Sequence, residues 1–342
     1  MKRSTLYFSA PYQISIQEKP LPSPADGQVL IETQISAISP GTELLVYRGQ
    51  APTDIPLDET ISDLRGKLGY PLKYGYAAVG RVTALGADVA PEWLHRLVFA
   101  FHPHESHFVA SPTELVPVPS ALAPEEAALL PNVETAVNLV MDGQPLIGEH
   151  VAVFGQGVVG LLTTALLACF PLGRLVTLDR YPLRRQKSLA LGAHASLDPA
   201  AVPGDLAQIV APVQGMSSYP GADLTYELSG SPDALDQAIA ATGFSGRVIV
   251  GSWYGRKRVE LDLGGRFHRS RVRLVSSQVS TISPEWRGRW SKSRRLDVAW
   301  QMIQRIRPAH LITHRFPIAR ASQAYALLDE NPEEAIQVIL TY

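Results

Sequence analysis

The chain has one cysteine, Cys169, among 342 residues. A lone cysteine excludes an internal disulfide and a four-thiolate zinc site. Net charge is almost absent as well, at −1, which removes the electrostatic case for a nucleic-acid partner. The N-terminus, MKRSTLYFSAPYQISIQEKP, opens with two basic residues but lacks the apolar stretch that follows them in a signal peptide. Long apolar runs are scarce. The most apolar one, Val151–Phe170, is interrupted by three glycines and Gln156, so it reads as a buried strand followed by a helix and not as a membrane span. Internal repeats and low-complexity tracts are missing. These absences leave a globular chain, 46 % apolar and 18 % charged, with length enough for two domains. The reducing cytoplasm is its expected location.

Two textures follow along the chain. The first part reads as β: QVLIETQISAI alternates apolar and polar residues before a Ser39-Pro40-Gly41 turn, and AAVGRVTAL and RLVFAF predict further short strands. Near residue 120 the pattern changes. APEEAALLPNVETAVNLVM has helical spacing with acids in its first turn. Strands and helices then alternate: VAVFG, a helix through Leu167, RLVTLD, a helix through Leu191, DLTYELSG, a helix from Pro232, and GRVIVGS. That alternation predicts an α/β fold, a doubly wound parallel sheet with helices on both faces. Beyond residue 285 come an amphipathic helix (Leu296–Ile306), a strand (THRFPI), a helix (Ala319–Asp329) and a last strand (AIQVILTY).

The motif that carries most chemistry is Gly155-Gln156-Gly157-Val158-Val159-Gly160. A GxGxxG run is weak by itself, but here a buried strand precedes it and a helix follows. Gly155 permits the tight turn, Gly157 lets a pyrophosphate reach the backbone, and Gly160 lets helix pack on strand. The helix start offers free N–H groups and a positive dipole end to phosphates. A second strand ends at Asp179, where a carboxylate can accept both ribose hydroxyls of NAD and repel the 2′-phosphate of NADP. Arg180, Arg184 and Arg185 follow and favour the opposite choice. NAD is the expected cofactor, with NADP the less favoured one.

These residues resemble the medium-chain dehydrogenase/reductase superfamily, the fold of alcohol dehydrogenases, over nearly the whole length. AISPGTELLVYRG, GYAAVGRV, the GQGVVG loop, DRYPLRRQKSLALGA and YELSGSPDALDQAI carry the resemblance. It implies a β-rich GroES-like catalytic domain, residues 1–120 and 286–342, around a Rossmann domain, residues 121–285. It also adds Ser229 and Gly230 to the nucleotide-binding set and implies a homodimer. Against the zinc-binding members the chemistry departs. Pro40 stands where the first thiolate ligand would be, in Pro40-Gly41-Thr42-Glu43. Tyr76 replaces the ligand histidine and Ala77 the neighbouring carboxylate. Pro131-Asn132 offers no third cysteine, and the structural zinc lobe is missing. No metal is expected at the usual catalytic or structural sites. SPGTELL with GYPLKYGY most resembles the zinc-lacking branch that includes bacteriochlorophyllide a hydroxyethyl dehydrogenase.

Without zinc, another group must handle the proton and the developing charge on oxygen. Tyr76 can donate its phenol proton to a carbonyl oxygen, or it can simply fill the vacated volume. Thr42 matches the hydroxyl that relays protons in the family, or it stabilises the turn after Gly41. Glu43 beside it reads as structural. His102 and His104, in Phe101-His102-Pro103-His104-Glu105-Ser106-His107, suit a proton shuttle; the run also reads as a polar loop or, through His-x-His and Glu, as metal ligands. Between Arg256 and Arg295 lie twelve Lys/Arg and three Asp/Glu. Arg269, Arg271 and Arg287 are candidate clamps for an anionic small-molecule substrate, with alternation along Arg269–Arg273 predicting one strand face. The alternative is surface arginines paired elsewhere. The expected reaction is NAD(P)-dependent interconversion of a secondary alcohol and a ketone. Reduction of a conjugated C=C bond, as by quinone or enoyl reductases, and a non-catalytic nucleotide-binding scaffold are the alternatives.

Overall fold

The computed structural model describes residues 2–53, 69–202, 205–211 and 220–342. Two compact units divide the chain, residues 1–131 with 303–342 and residues 132–302.

The first unit begins with an antiparallel hairpin, β1 (Lys2–Ala10) and β2 (Gln13–Pro20). Strand β3 (Val29–Ala37) follows and is buried along most of its length. The Ser39-Pro40-Gly41 segment does not form the expected turn. It starts a helix, α1 (Pro40–Tyr47), with Ser39 as N-cap and proline at the first position, where a missing N–H costs nothing. Strands β4 (Ala78–Leu85), β5 (Leu97–Ala100), β6 (His107–Ala110) and β7 (Leu115–Pro117) complete this stretch. The helical run after residue 120 is broken in two, α2 (Pro124–Ala127) and α3 (Leu130–Gly143). Pro131 explains the break, because proline fits the first turn of a helix and not its interior.

The second unit is the predicted parallel sheet. Its strands are β8 (His150–Phe154), β9 (Arg174–Leu178), β10 (Ala195–Leu197), β11 (Ala222–Glu227), β12 (Thr242–Val250) and β13 (Arg273–Ser276). Among the described residues they pair in the order β10-β9-β8-β11-β12-β13, all parallel. Helices α4 (Val158–Leu167), α5 (Pro182–Ala190), α6 (Leu206–Val210) and α7 (Pro232–Ala241) connect them. Apolar clusters form around β8, one of them with Phe154, Leu178 and Val248, the other with Val151, Leu175 and Ile249. A central strand covered on both faces reads as a continuous apolar run, as VAVF does. The strand at the other end differs: every residue of β13 is exposed.

Helix α8 (Lys292–Ile306) leads back to the first unit, where β14 (Ile312–Pro317), α9 (Ala321–Glu330) and β15 (Gln337–Thr341) finish the chain. Among the described residues the large sheet runs β14-β15-β3-β4-β5-β7, with β6 paired to β3. The unit boundaries fall at 131/132 and 302/303, where the sequence suggested 120/121 and 285/286. The second shift has a cause: Arg295, near the start of α8, is fully buried in the second unit, with its guanidinium on Glu134 and Asn138. Among the described residues no helix is long and apolar enough to cross a membrane.

Candidate functional site

In the second unit the glycine loop has the geometry its three glycines require. Gly155 adopts φ +86°, and a Cβ there would meet the Ser229 backbone at 2.6 Å. A Cβ on Gly160 would lie 2.0 Å from the Gly155 carbonyl oxygen, while one on Gly157 would meet nothing within 4 Å. So two glycines close the loop on its neighbours, and the third faces open space where phosphates can approach. Gly157 is the N-cap of α4. The first helical bond runs from the Leu161 N–H to the Gly157 carbonyl, which leaves the N–H groups of Val158, Val159 and Gly160 for an anion.

Asp179, at the end of β9, is braced by this loop. Its Oδ2 accepts the Gln156 N–H at 2.7 Å and its Oδ1 the Tyr181 N–H at 2.8 Å. Each oxygen keeps a lone pair for a ribose hydroxyl. The Gln156 side chain turns inward to the Gly155 carbonyl and Thr164, so only its backbone reaches the site. The arginines that blur the NAD reading are placed distinctly. Arg185 donates to the carbonyls of Asp179 and Arg180 and to Asp198. Arg180 and Arg184 lie over the Tyr181 ring, at 4.8 and 4.7 Å from its centroid.

Ser229 and Gly230 follow β11 and are organised by Glu227, which the sequence reading passed over. This fully buried carboxylate accepts from the Ser229 N–H (2.7 Å) and hydroxyl (2.5 Å) and the Gly230 N–H (3.1 Å). The Tyr254 hydroxyl donates to its other oxygen at 2.7 Å. Burial and the Glu227 charge push the Tyr254 phenol well up. The available signal was an acid closing an apolar strand, TYELSG, since a buried charge demands partners.

The first unit joins two of the four proton-handling candidates. The Tyr76 hydroxyl donates to Ser39 Oγ at 2.5 Å, and Thr42 Oγ1 lies 3.3 Å from it. Ser39 was not foreseen as a partner. His104 and His102 go elsewhere. His104 is fully buried, with Nε2 3.0 Å from Glu43 Oε2 and Nδ1 2.6 Å from Ser36 Oγ. A carboxylate only accepts, so Nε2 carries the proton toward Glu43. Glu43 also accepts from the Tyr325 hydroxyl at 2.5 Å and the Ser39 N–H at 2.7 Å, and the Tyr342 hydroxyl meets Ser36 at 2.7 Å. Burial, then the Glu43 charge, drives the Tyr325 phenol up. His102 stacks on Phe108 and meets Glu105 at 3.1 Å. Glu105 takes further donors from Arg3 (3.2 Å), Thr5 (3.0 Å) and Lys73 (2.9 Å). Burial pushes its carboxyl up, but the bonds and charges of His102 and Lys73 prevail and hold it at about 2. His107 contacts Ser106, and burial lowers its imidazole.

The metal reading of this run fails on its donors. His102 and His104 serve different carboxylates, and among the described residues no group of three or more His, Cys, Asp or Glu is placed to hold an ion. Pro40 and Ala77 have no side-chain donor, and the Tyr76 oxygen is bonded to Ser39. The residues at the family's zinc positions therefore do not fit that metal.

The candidate clamps do not share a strand face. Arg269 ends a helical turn, Arg271 sits at φ +54°, and β13 starts only at Arg273. Arg271 lines a cavity of about 450 Å³ with Ser245, Phe267, His268, Val272 and Arg273. Ser245 lies early in β12, five residues or about 16 Å of strand before its C-terminal end. The glycine loop follows the C-terminal end of β8, so Arg271, just before β13, belongs to the opposite, N-terminal end of the parallel strands. Arg287 donates to the Ile282 carbonyl at 3.2 Å.

A glycine loop on a strand–helix corner, an acid at the next strand end and another unit built on a mostly antiparallel sheet define a known architecture. No protein-family model matches the chain. It is 22 % identical to D-guloside 3-dehydrogenase of Escherichia coli (strain K12) over 335 residues, 92 % of this chain and 93 % of the relative. It is 23 % identical to 2-desacetyl-2-hydroxyethyl bacteriochlorophyllide A dehydrogenase of Cereibacter sphaeroides over 359 residues, 100 % and 99 % of the two chains. Its relatives are medium-chain dehydrogenases/reductases, and it shares their fold. The RspB dehydrogenase of E. coli CFT073, solved with NADH, superposes with a TM-score of 0.78 at 18 % identity, covering 100 % of this chain and 99 % of that one. Another neighbour of this fold was solved with NADP.

Proposed function

We propose that this chain is a nicotinamide-dependent oxidoreductase that interconverts a secondary alcohol and a ketone, prefers NAD(H) and works without zinc. The observation that carries this reading is the glycine loop with Asp179 pinned beside it. Bound there, the nicotinamide would take or supply hydride. The loop amides and the start of α4 would hold the pyrophosphate, and Asp179 the adenosine ribose. The dehydrogenase kinship supports the alcohol/ketone class. Asp179 favours NAD, because a 2′-phosphate would come against a fixed carboxylate while Arg185 is engaged with Asp198. In the first unit Tyr76, backed by Ser39 and Thr42, is the group suited to give a carbonyl oxygen its proton. The small-molecule substrate need not be anionic, since Arg269 and Arg271 lie away from the nucleotide end of the sheet. The exposed edge strand β13, with Leu274 41 % and Val275 36 % exposed, supports a homodimer paired along that edge.

Titration with NADH and NADPH side by side, followed by nicotinamide fluorescence, tests the cofactor claim. Binding of NADH at least about tenfold tighter is expected, a difference of about 1.4 kcal/mol. Tighter NADPH would assign Arg180 or Arg184 to a 2′-phosphate, and binding of neither would remove the dehydrogenase reading.

A further inference from the structure

Ser39 is the N-cap of α1, yet it does not cap. It has extended dihedrals (φ −94°, ψ 94°), and its side chain makes no hydrogen bond to the first-turn amides, the usual service of a serine at this place. Its Oγ accepts instead from the Tyr76 phenol at 2.5 Å. Thr42, in the same first turn, stands 3.3 Å from that phenol oxygen. The Ser39 backbone is anchored from the other side. Its N–H donates to Glu43 Oε1 at 2.7 Å, while Glu43 Oε2 holds His104 at 3.0 Å and Tyr325 at 2.5 Å. Glu43, His104 and Tyr325 are all fully buried. A carboxylate enclosed by three donors has almost no freedom to move, so the serine it grips presents its hydroxyl at one fixed point.

We propose that Ser39 is the positioning residue for Tyr76: released from capping, it fixes the phenol oxygen and returns a proton to it. This deepens the reading of Tyr76 as proton donor and rests on it. As the carbonyl carbon accepts hydride, the C=O π pair moves onto oxygen and that oxygen takes the Tyr76 proton. The phenolate left behind takes the Ser39 proton while Ser39 Oγ takes one from water. The three proton transfers run together and the water leaves as hydroxide to solvent, so no alkoxide accumulates and both hydroxyls end as they began. A hydroxyl that can turn to donate to the phenolate stabilises the charged form more than the neutral one, so Ser39 lowers the ionisation midpoint of Tyr76.

The test uses the full chain labelled with 3-fluorotyrosine and followed by fluorine NMR, with Tyr76→Phe to assign the Tyr76 signal. Ser39→Ala is expected to move that signal and raise its titration midpoint by about one pH unit, a tenfold change in ionisation constant. Ser39→Thr, which keeps the hydroxyl, is expected to restore both. An unchanged midpoint in Ser39→Ala overturns the proposal, as does a midpoint in Ser39→Thr that stays with the alanine variant. The parallel assay is reduction of acetoin by NADH. Ser39→Ala should lower kcat about tenfold at unchanged KM, with its pH profile displaced in the same direction as the NMR midpoint. Full turnover by Tyr76→Phe would instead sink the proton-donor reading, and with it the relay, while the NMR midpoint still judges the positioning separately.

Discussion

A methyl group on Gly160 would sit 2.0 Å from the Gly155 carbonyl oxygen. The atom it would strike is backbone, so no side chain can swing aside and the loop itself must open. Gly160→Ala is therefore expected to weaken NADH binding by at least about tenfold while the far-ultraviolet circular dichroism stays native. Glu105 makes a different prediction, one of pH. Its carboxyl is held at about 2 against an ordinary 4.5, worth about 3 kcal/mol of folding stability at neutral pH. A lowered carboxyl contributes fully above its unfolded value and loses that contribution as pH falls through the folded one. The loss should thus run from about pH 4.5 down to about pH 2. Thermal melts across this range should show Glu105→Gln well below the parent at pH 7, with the gap closing toward pH 2. A constant gap would deny the carboxylate its role. At this scale the glycines were legible, since only a residue without Cβ fits each place, and Asp179 followed from spacing. The Ser36–His104–Glu43–Tyr325 network was not, because its members are far apart in sequence: Glu43 and Tyr325 alone are 282 positions apart. The sequence placed His102 and His104 together as neighbours, but residues 101–104 form no strand that would hold i and i+2 on one face, and the two rings go to different carboxylates, Glu105 and Glu43.

Elements were read well where periodicity was strong and poorly where a special residue intervened. The parallel strands β8, β9, β11 and β12 stand where apolar runs predicted them. The first turn of α1 was mistaken for a loop because Pro40 and Gly41 signal turns as readily as they open helices. The Arg269–Arg273 alternation looked like a strand, but Arg271 takes a left-handed conformation just before β13 begins. Arg295 shows how an element is anchored. It lies in a segment rich in exposed cations, yet it is completely enclosed. Nε and Nη2 donate to Glu134 at 3.0 and 2.8 Å, Nη1 to Asn138 at 2.5 Å and to the Thr281 carbonyl, and Nη2 also to the Val279 carbonyl. One side chain thereby ties α3, α8 and the strand-to-helix connection. Burial pushes the Glu134 carboxyl up against the pull of this guanidinium, so losing the partner is severe. Arg295→Met should cost about 3–5 kcal/mol in denaturant unfolding by leaving Glu134 enclosed without a cation. Arg295→Lys should recover only part, since an ammonium cannot reproduce the fork. Near-parental stability in either variant would refute the anchoring role.

Over the whole molecule, the order of β-rich, α/β and returning segments was visible in the change of texture near residues 120 and 285. The boundaries moved because α8 begins inside the second unit, held there by Arg295. The edge strand β13 carries the prediction for assembly. Leu274→Lys should convert a homodimer to a monomer in sedimentation or light scattering, because a charge on an apolar pairing edge opposes association. A parent that is itself monomeric would exclude the dimer. The enclosed His104 has a further consequence. Its Nε2 proton lies between the ring and Glu43, and the residue has no exposure at all. Such a proton leaves only when the surrounding sheet opens. After transfer into heavy water its downfield resonance should outlast those of surface histidines by orders of magnitude. The decay of that single signal would count how often the first unit breathes.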